Sequence, residues 1–468
     1  MFIISFLGIW SKCDIYLKTM TEHQLDKAKK KIFEDAKKVL EGNWIELEDG
    51  KGYTRPAEGI YPLQWSSDSS FAAYGYSHYD VPKAITELRT LFDGQWSNGF
   101  LPHINFHRKV DHYFPNEDFW DSKNVTDKSP RDVGTSGITQ PPIVAMAVWH
   151  IYKRLKLEGE EGAQAFLDEF YPKLYKLHKY FHEHRDPENW GLVTIYHPWE
   201  SGFDNSPRWD DAMAEIIPKD LPEYERMDTR YVDKENRPTD DSYDKYVYLA
   251  LELKKKNYDD ELIYRDHPFR VKDKVTSSIL YMADKRLKEM AETAGYDTSE
   301  IDRWMKLFEE NLNSKLWNAE KKSFYDFDLN KNDYIKVQTA GALMPLTTGI
   351  LSKEQIKDIV GHMNSKDFCG DGSCIIDLIP SNSINEETFD DDHYWRGPIW
   401  INVNWFMWKG FKEYDMKYSA NSFKKRILNL IENAGFWEYY SPITGKGTGA
   451  KDFSWTAALT IDILFDDL

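Results

Sequence analysis

Hydrophobic residues at three- and four-residue spacing recur along almost the whole chain, and this limits the fold more than any other feature. From Thr21 to Leu40 one helical face carries Leu25, Ala28, Ile32, Ala36, Val39 and Leu40, with Thr21 as cap and Gly42 as stop. Helical patterns return over 68–79, 82–92, 142–156, 163–184, 208–217, 242–257, 274–293, 298–315, 352–363, 398–413, 419–434 and 455–465. No run of alternating residues and no strand–helix–strand pattern competes, so an all-α chain of roughly a dozen helices is predicted. The helices come as a pair, a short turn, and then a longer loop rich in Gly, Pro and aromatic residues. Pairs repeated about six times predict a closed ring of helical hairpins with an inner and an outer layer, although no repeat is visible in the sequence itself. No linker divides the chain, so a single domain over 21–468 is expected, preceded by a poorly ordered extension over 1–20. The long irregular stretch over 94–139 is of a length that is usually functional.

Composition removes several function classes. Lys and Arg number 60 against 78 Asp and Glu, a net charge of -18. Such a surface repels phosphate backbones, and no basic run with interleaved aromatics is present, so nucleic acid is not an expected partner. No stretch reaches the apolar length of a membrane span. The three cysteines, Cys13, Cys369 and Cys374, form no disulfide framework and have no neighbours at zinc-ligand spacing, which points to a reducing compartment and the cytoplasm. The apolar start MFIISFLGIW lacks a basic leader and a cleavage site, leaving secretion the lesser alternative. The 17 Trp and the 15% aromatic content exceed what a core alone needs, and gathered in loops they suit stacking on sugar faces.

Within residues 196–211, YHPWESGFDNSPRWDD, two of the acids, Glu200 and Asp204, sit among four aromatic rings. A carboxylic acid pressed against indoles loses hydration, so its pKa rises and it stays protonated near neutrality, as a general acid must. The plainer alternative is that Asp204 or Ser206 caps a helix starting at Pro207. Three further loops share the aromatic, Gly and Pro composition: Tyr61 to Asp68, His393 to Trp400, and Phe436 to Gly445. Singly, each reads as a packed loop; together they fit a pocket of aromatic platforms with a few fixed polar groups. Its carboxylates would be Asp68, Glu200, Asp204 and Glu438. Asp204 and Glu438 lie far apart in sequence, so only a closed ring would bring them to the two sides of one glycosidic bond. Gly447 and Gly449 miss the phosphate-loop spacing, and neither H-E-x-x-H, G-x-S-x-G nor a metal-ligand cluster beyond scattered His is found.

S-G-F-D-N-S-P-R-W, Y-W-R-G-P-I-W and E-Y-Y-S-P-I-T-G followed by F-S-W-T-A resemble the (α/α)6-barrel glycoside hydrolases that include processing α-glucosidase I, with trehalases more distant. Closer still, Y-P-L-Q-W-S-S-D-S-S-F and R-P-T-D-D-S-Y-D-K-Y resemble the mannosylglycerate and glucosylglycerate hydrolases. The likeness runs in order from about Trp44 to the C-terminus. It implies an (α/α)6 toroid and an inverting hydrolase of a small α-glycoside that needs no cofactor or metal. Asp204 falls on the general acid and Glu438 on the general base. Tyr61, Gln64, Trp65, Asp68, Gln140, Trp199, Tyr394, Trp395 and Trp400 match positions lining the sugar subsite. Arg237 and Tyr243 match groups that hold the glycerate, with Tyr113 beside them. An Arg fork suits a carboxylate physically; the alternative for Arg237 is a surface ion pair with Asp233, Glu235 or Asp240. Leu63 and Ser67 depart from the larger or more polar residues expected, which bears on the choice of mannose or glucose. Other readings are a related enzyme on another small α-glycoside, and a sugar-binding protein without catalysis.

Overall fold

The computed structural model of the chain describes residues 22–157, 159 and 162–466. Thr21 as a cap, the extension over 1–20 and Cys13 lie outside them. Helices dominate, and they fall into two kinds that alternate along the chain. Ser66–Tyr76 is buried along its whole length, which its small and aromatic residues allow on every side. Ser454–Phe465 and Ile401–Glu413 are nearly as fully buried. Each such helix is paired with an amphipathic one: Val81–Phe92, for instance, buries Ala84, Leu88, Leu91 and Phe92 and is capped by Asp80, whose carboxylate accepts from the Lys83 amide.

The contacts among the buried elements form a closed sequence. Ser454–Phe465 packs on Ser66–Tyr76, which packs on Val144–Leu157 and then Lys274–Ala294, Ala340–Thr348 and Ile401–Glu413, and the last returns to Ser454–Phe465. Against these lie, in turn, Glu22–Asn43, Val81–Phe92, Ala163–His184, Ser299–Leu316, Lys353–Met363 and Lys417–Ala434. One of the inner elements escapes sequence reading. Ala340–Thr348 is a fully buried 3-10 helix whose Pro345 and Gly341 hide it from periodicity. A Cβ at Gly341 would come 3.0 Å from the Val275 methyl and 3.3 Å from the Arg208 guanidinium, so it would fit only if those side chains gave way slightly.

Three expectations are corrected. The chain is helix-rich but not free of strands: short segments pair at the loops, among them Gln64–Trp65 with Ile104–Phe106 and Gly134–Thr135, and Trp437–Tyr440 with Gly447–Lys451. Two to five residues are too few to leave an alternating pattern. Cys369 and Cys374 are joined in a disulfide with Cα atoms 5.2 Å apart, so the argument from cysteines to a reducing compartment loses its support. His78, His150 and Asp462, from three different inner segments, converge where the sequence offered only scattered histidines. No helix among the described residues is long and apolar enough to cross a membrane.

Candidate active site

A cavity opens among the loops at the N-terminal ends of Ser66–Tyr76, Val144–Leu157 and Ser454–Phe465. Asp204 reaches it from the turn after the 3-10 segment Pro198–Ser201, which Gly202 ends with φ +69°. The turn is pinned from behind. Arg208, wholly buried, binds Asp273 at 2.8 Å and Asp326 at 3.0 Å, and the Trp209 indole donates to the Phe203 carbonyl at 2.8 Å. Tyr246 donates to the Asp204 carbonyl at 3.2 Å. The cap of Pro207–Trp209 is Ser206, so Asp204 is free of that task, and its carboxyl instead accepts from the Tyr394 hydroxyl at 3.2 Å. Burial pushes Asp204 up to about 7, with the Glu438 charge adding to the rise against the Tyr394 bond and the Arg237 charge. Glu200, the other acid of this stretch, is structural. It takes both Arg185 nitrogens at 2.8 Å and the amides of Thr139 and Tyr196, away from the cavity.

Glu438 sits on the strand Trp437–Tyr440 and is buried. Its Oε1 accepts from Tyr61 at 2.8 Å and Arg237 at 3.4 Å, and its Oε2 from the Ala450 amide at 2.9 Å. The glycine-rich tail is the partner strand that makes room for it: at Gly449, with φ +77°, a Cβ would lie 2.5 Å from Glu438 Oε2. Tyr61 and Tyr394 are buried phenols pushed well above their usual range by desolvation, hence protonated donors. Their hydroxyls lie 3.5 Å apart. Contacts of 3.2, 3.5 and 2.8 Å therefore lead from Asp204 through Tyr394 and Tyr61 to Glu438.

Twelve of the fourteen predicted residues line this cavity: Tyr61, Trp65, Asp68, Tyr113, Gln140, Trp199, Asp204, Arg237, Tyr243, Tyr394, Trp395 and Glu438. Burial raises the Asp68 carboxyl well above its usual range, with Glu438 and Asp204 adding to the rise. The Gln140 amide oxygen accepts from the Ser66 hydroxyl and the Ser67 amide. Arg237 is no surface pair. It is buried, its Nε on Asp228 at 3.3 Å, its Nη2 on Tyr61 at 2.8 Å, and its guanidinium 3.9 Å from the Tyr394 ring centre. Gln64 and Trp400 are corrections. Gln64 points away from the cavity to Glu87, Asn105 and His107, because successive residues of a strand face opposite sides and Trp65 takes the inner one. Trp400 lies behind Trp395, stacked at 3.8 Å and 3°, and donates to the Tyr394 carbonyl, so it supports the wall without lining it. Of the two departures, Ser67 lines the cavity and Leu63 does not.

Sequence reading missed His103 and Asp228, which also line it. His103 is bound through Nδ1 to Ser136 Oγ at 2.8 Å, and burial drives its pKa well below the usual value, leaving a neutral ring. Asp228 joins Arg237 to Arg226, whose Nη2 is 2.7 Å away. Neither sits in a periodic or aromatic motif that would have marked it.

Asp204, with its pKa pushed up to about 7, and Glu438, accepting three hydrogen bonds, share a cavity walled by aromatic rings, an arrangement of the glycosidase kind on a helix-rich scaffold. The matching family model is the mannosylglycerate hydrolase MGH1-like glycoside hydrolase domain, over residues 61–456, and the chain belongs to that family. It is 36% identical over 442 residues to a mannosylglycerate hydrolase of Rubrobacter radiotolerans, covering 93% of this chain and 97% of the relative. To a glucosylglycerate hydrolase of Mycolicibacterium hassiacum it is 36% identical over 418 residues, 88% and 94% of the two chains. A mannosylglycerate hydrolase of Thermus thermophilus, solved with Tris and D-glycerate, superposes with a TM-score of 0.83 at 37% identity over 92% of this chain and 99% of that one.

Proposed function

We propose that the chain is an inverting α-glycosidase that hydrolyses a small glycosylglycerate, mannosylglycerate or glucosylglycerate, to the sugar and glycerate, in a single (α/α)6 toroid over residues 21–468. The closed sequence of helix contacts supports the toroid. The observation that carries the activity is the pairing of Asp204, held near 7, with a hydrogen-bonded Glu438 across one cavity. Asp204 gives its proton to the glycosidic oxygen as the bond to the anomeric carbon breaks. Glu438 takes a proton from a water that attacks the opposite face, so an α-linked substrate yields the β-sugar. Arg237, in the cavity beside Glu438, is the cation for the glycerate carboxylate.

A second reading has one specific observation in its favour. All three Arg237 nitrogens are already engaged, by Asp228, Glu438 and Tyr61, which suits a neutral small α-glycoside whose aglycon asks nothing of the guanidinium. Incubation with mannosylglycerate, glucosylglycerate, trehalose and nitrophenyl α-glycosides, with released sugar measured, separates the two. Turnover of glycosylglycerates well above the neutral glycosides is expected. Preference for trehalose or the nitrophenyl compounds would overturn the glycerate assignment, and no release from any would overturn the enzyme.

A further inference from the structure

Further along the helices that open onto the cavity, His78, His150 and Asp462 place three ligand-type atoms within 4.8 Å of one another. His78 follows Ser66–Tyr76, His150 lies in Val144–Leu157 and Asp462 in Ser454–Phe465, so three neighbouring inner segments each supply one group. The Asp462 carboxylate is divided in use. Its Oδ2 takes the Trp405 indole at 2.7 Å and the Lys409 ammonium at 2.9 Å, while Oδ1 faces His78 Nε2 at 3.1 Å. His150 is stacked on Tyr74 with centroids 4.2 Å apart, and its Nε2 is buried with no hydrogen-bond partner. An imidazole nitrogen in that position lacks the partner that buried polar groups ordinarily have.

We propose that this cluster is a binding site for one divalent transition-metal ion of the zinc class, held by His78, His150 and Asp462 Oδ1 with a water completing the shell. Two imidazoles and one carboxylate are a donor set that suits such ions. Oδ2, with Trp405 and Lys409, fixes the carboxylate and leaves Oδ1 to the ion. The nearby ammonium opposes a second cation, which sets the site below the affinity of an all-thiolate one. Ligands at ~2.0–2.1 Å from a tetrahedral ion lie roughly 3.3 Å apart, so binding draws the three groups inward and replaces the 3.1 Å contact of His78 with Asp462 by bonds to the ion.

The site is separate from the cavity: none of His78, His150 and Asp462 lines it, and Tyr76, where the helix before His78 ends, is already about 12 Å along that helix from Asp68. The test is calorimetric titration of the chelator-treated full chain with zinc chloride, alongside its thermal midpoint with and without zinc. One ion per chain and a raised midpoint are expected. His150→Ala should weaken binding by more than the roughly 10- to 100-fold that losing an outer partner costs, and should lose the zinc-dependent rise. His78→Asn gives the same comparison should His150→Ala fail to fold, and hydrolysis by either folded variant should match the wild type. No saturable zinc binding by the wild type, or equal binding by the folded variants, would overturn the proposal.

Discussion

The pKa of Asp204 makes a quantitative prediction about rate against pH. A general acid works only while protonated, and burial holds this carboxyl up to about 7. The value of kcat/KM for an alkyl-type leaving group should therefore be level below about pH 6, half its maximum near 7, and fall about tenfold for each unit above that. The perturbation is Asp204→Asn, which keeps the shape and can still accept from Tyr394 but has no proton to give. Loss of a positioned acid costs about 10²–10⁴-fold, and the falling limb should vanish with it. A nitrophenyl α-glycoside, whose leaving phenolate needs little protonation, should lose far less and show little of the limb even in the wild type. Stopped assays of sugar release from the glycosylglycerate and continuous assays of nitrophenolate, both across pH 5–9, give the two profiles. If Asp204→Asn slows both substrates equally, or leaves the limb in place, Asp204 is not the acid.

Proton NMR of the first turnover from an α-linked substrate should show the β-anomer, and Glu438→Gln should stop turnover whatever the leaving group; initial α-product would exclude Glu438 as a simple base. Arg237→Ala should cost about 2–5 kcal/mol in kcat/KM on a glycosylglycerate and less on a neutral glycoside, with Arg237→Lys recovering only part. Equal losses on both substrates would mean that Arg237 serves Glu438 and not the glycerate. Gly449→Ala should lower stability by about 1–2 kcal/mol from its left-handed backbone alone and lower kcat further by crowding Glu438 Oε2; a thermal melt and rate like the wild type's would refute the close approach.

How much of this was legible in the sequence depends on the range over which each residue acts. The amphipathic helices were plain, because a face such as Ile32, Ala36, Val39 and Leu40 declares itself within three turns. The Asp204 turn was legible for the same reason: Gly202, Ser206, Pro207 and Trp209, all close by, build it. Depth was not legible. Gln64 and Trp65 are neighbours in one strand, yet only one faces the cavity, and the pairing with Ile104–Phe106 that decides which is invisible locally. Trp395 and Trp400 look equivalent in sequence, and only their stacking makes one a wall and the other its backing. Nor could periodicity find Asp228, which lies outside the amphipathic patterns and matters through two arginines, or the cluster of His78, His150 and Asp462, assembled from segments far apart in the chain.

If Arg237 is the cation for the glycerate, as proposed, substrate choice and chemistry would be coupled through its contacts with Asp228, Glu438 and Tyr61. Its two longer contacts, 3.3 Å to Asp228 and 3.4 Å to Glu438, are the ones a carboxylate would displace, while the 2.8 Å bond to Tyr61 is the shorter and firmer. A glycerate arriving at the guanidinium would thus take a cation away from the residue assigned as base, at the moment when that residue must accept a proton from water. Tyr61 keeps Glu438 oriented through the exchange, since the same hydroxyl donates to Oε1 at 2.8 Å. Arg226 serves the other side: with Nη2 at 2.7 Å it neutralises Asp228, so that releasing Arg237 does not leave that carboxylate unpaired. A lysine at 237 could not replace this arrangement, because a single ammonium lacks the planar spread of donors that reaches Asp228, Tyr61 and Glu438 together. On a chain of net charge -18, one arginine shared among three oxygen partners would let an acidic pocket take an anionic aglycon and still hold Glu438 in place, which is what the proposed reading requires.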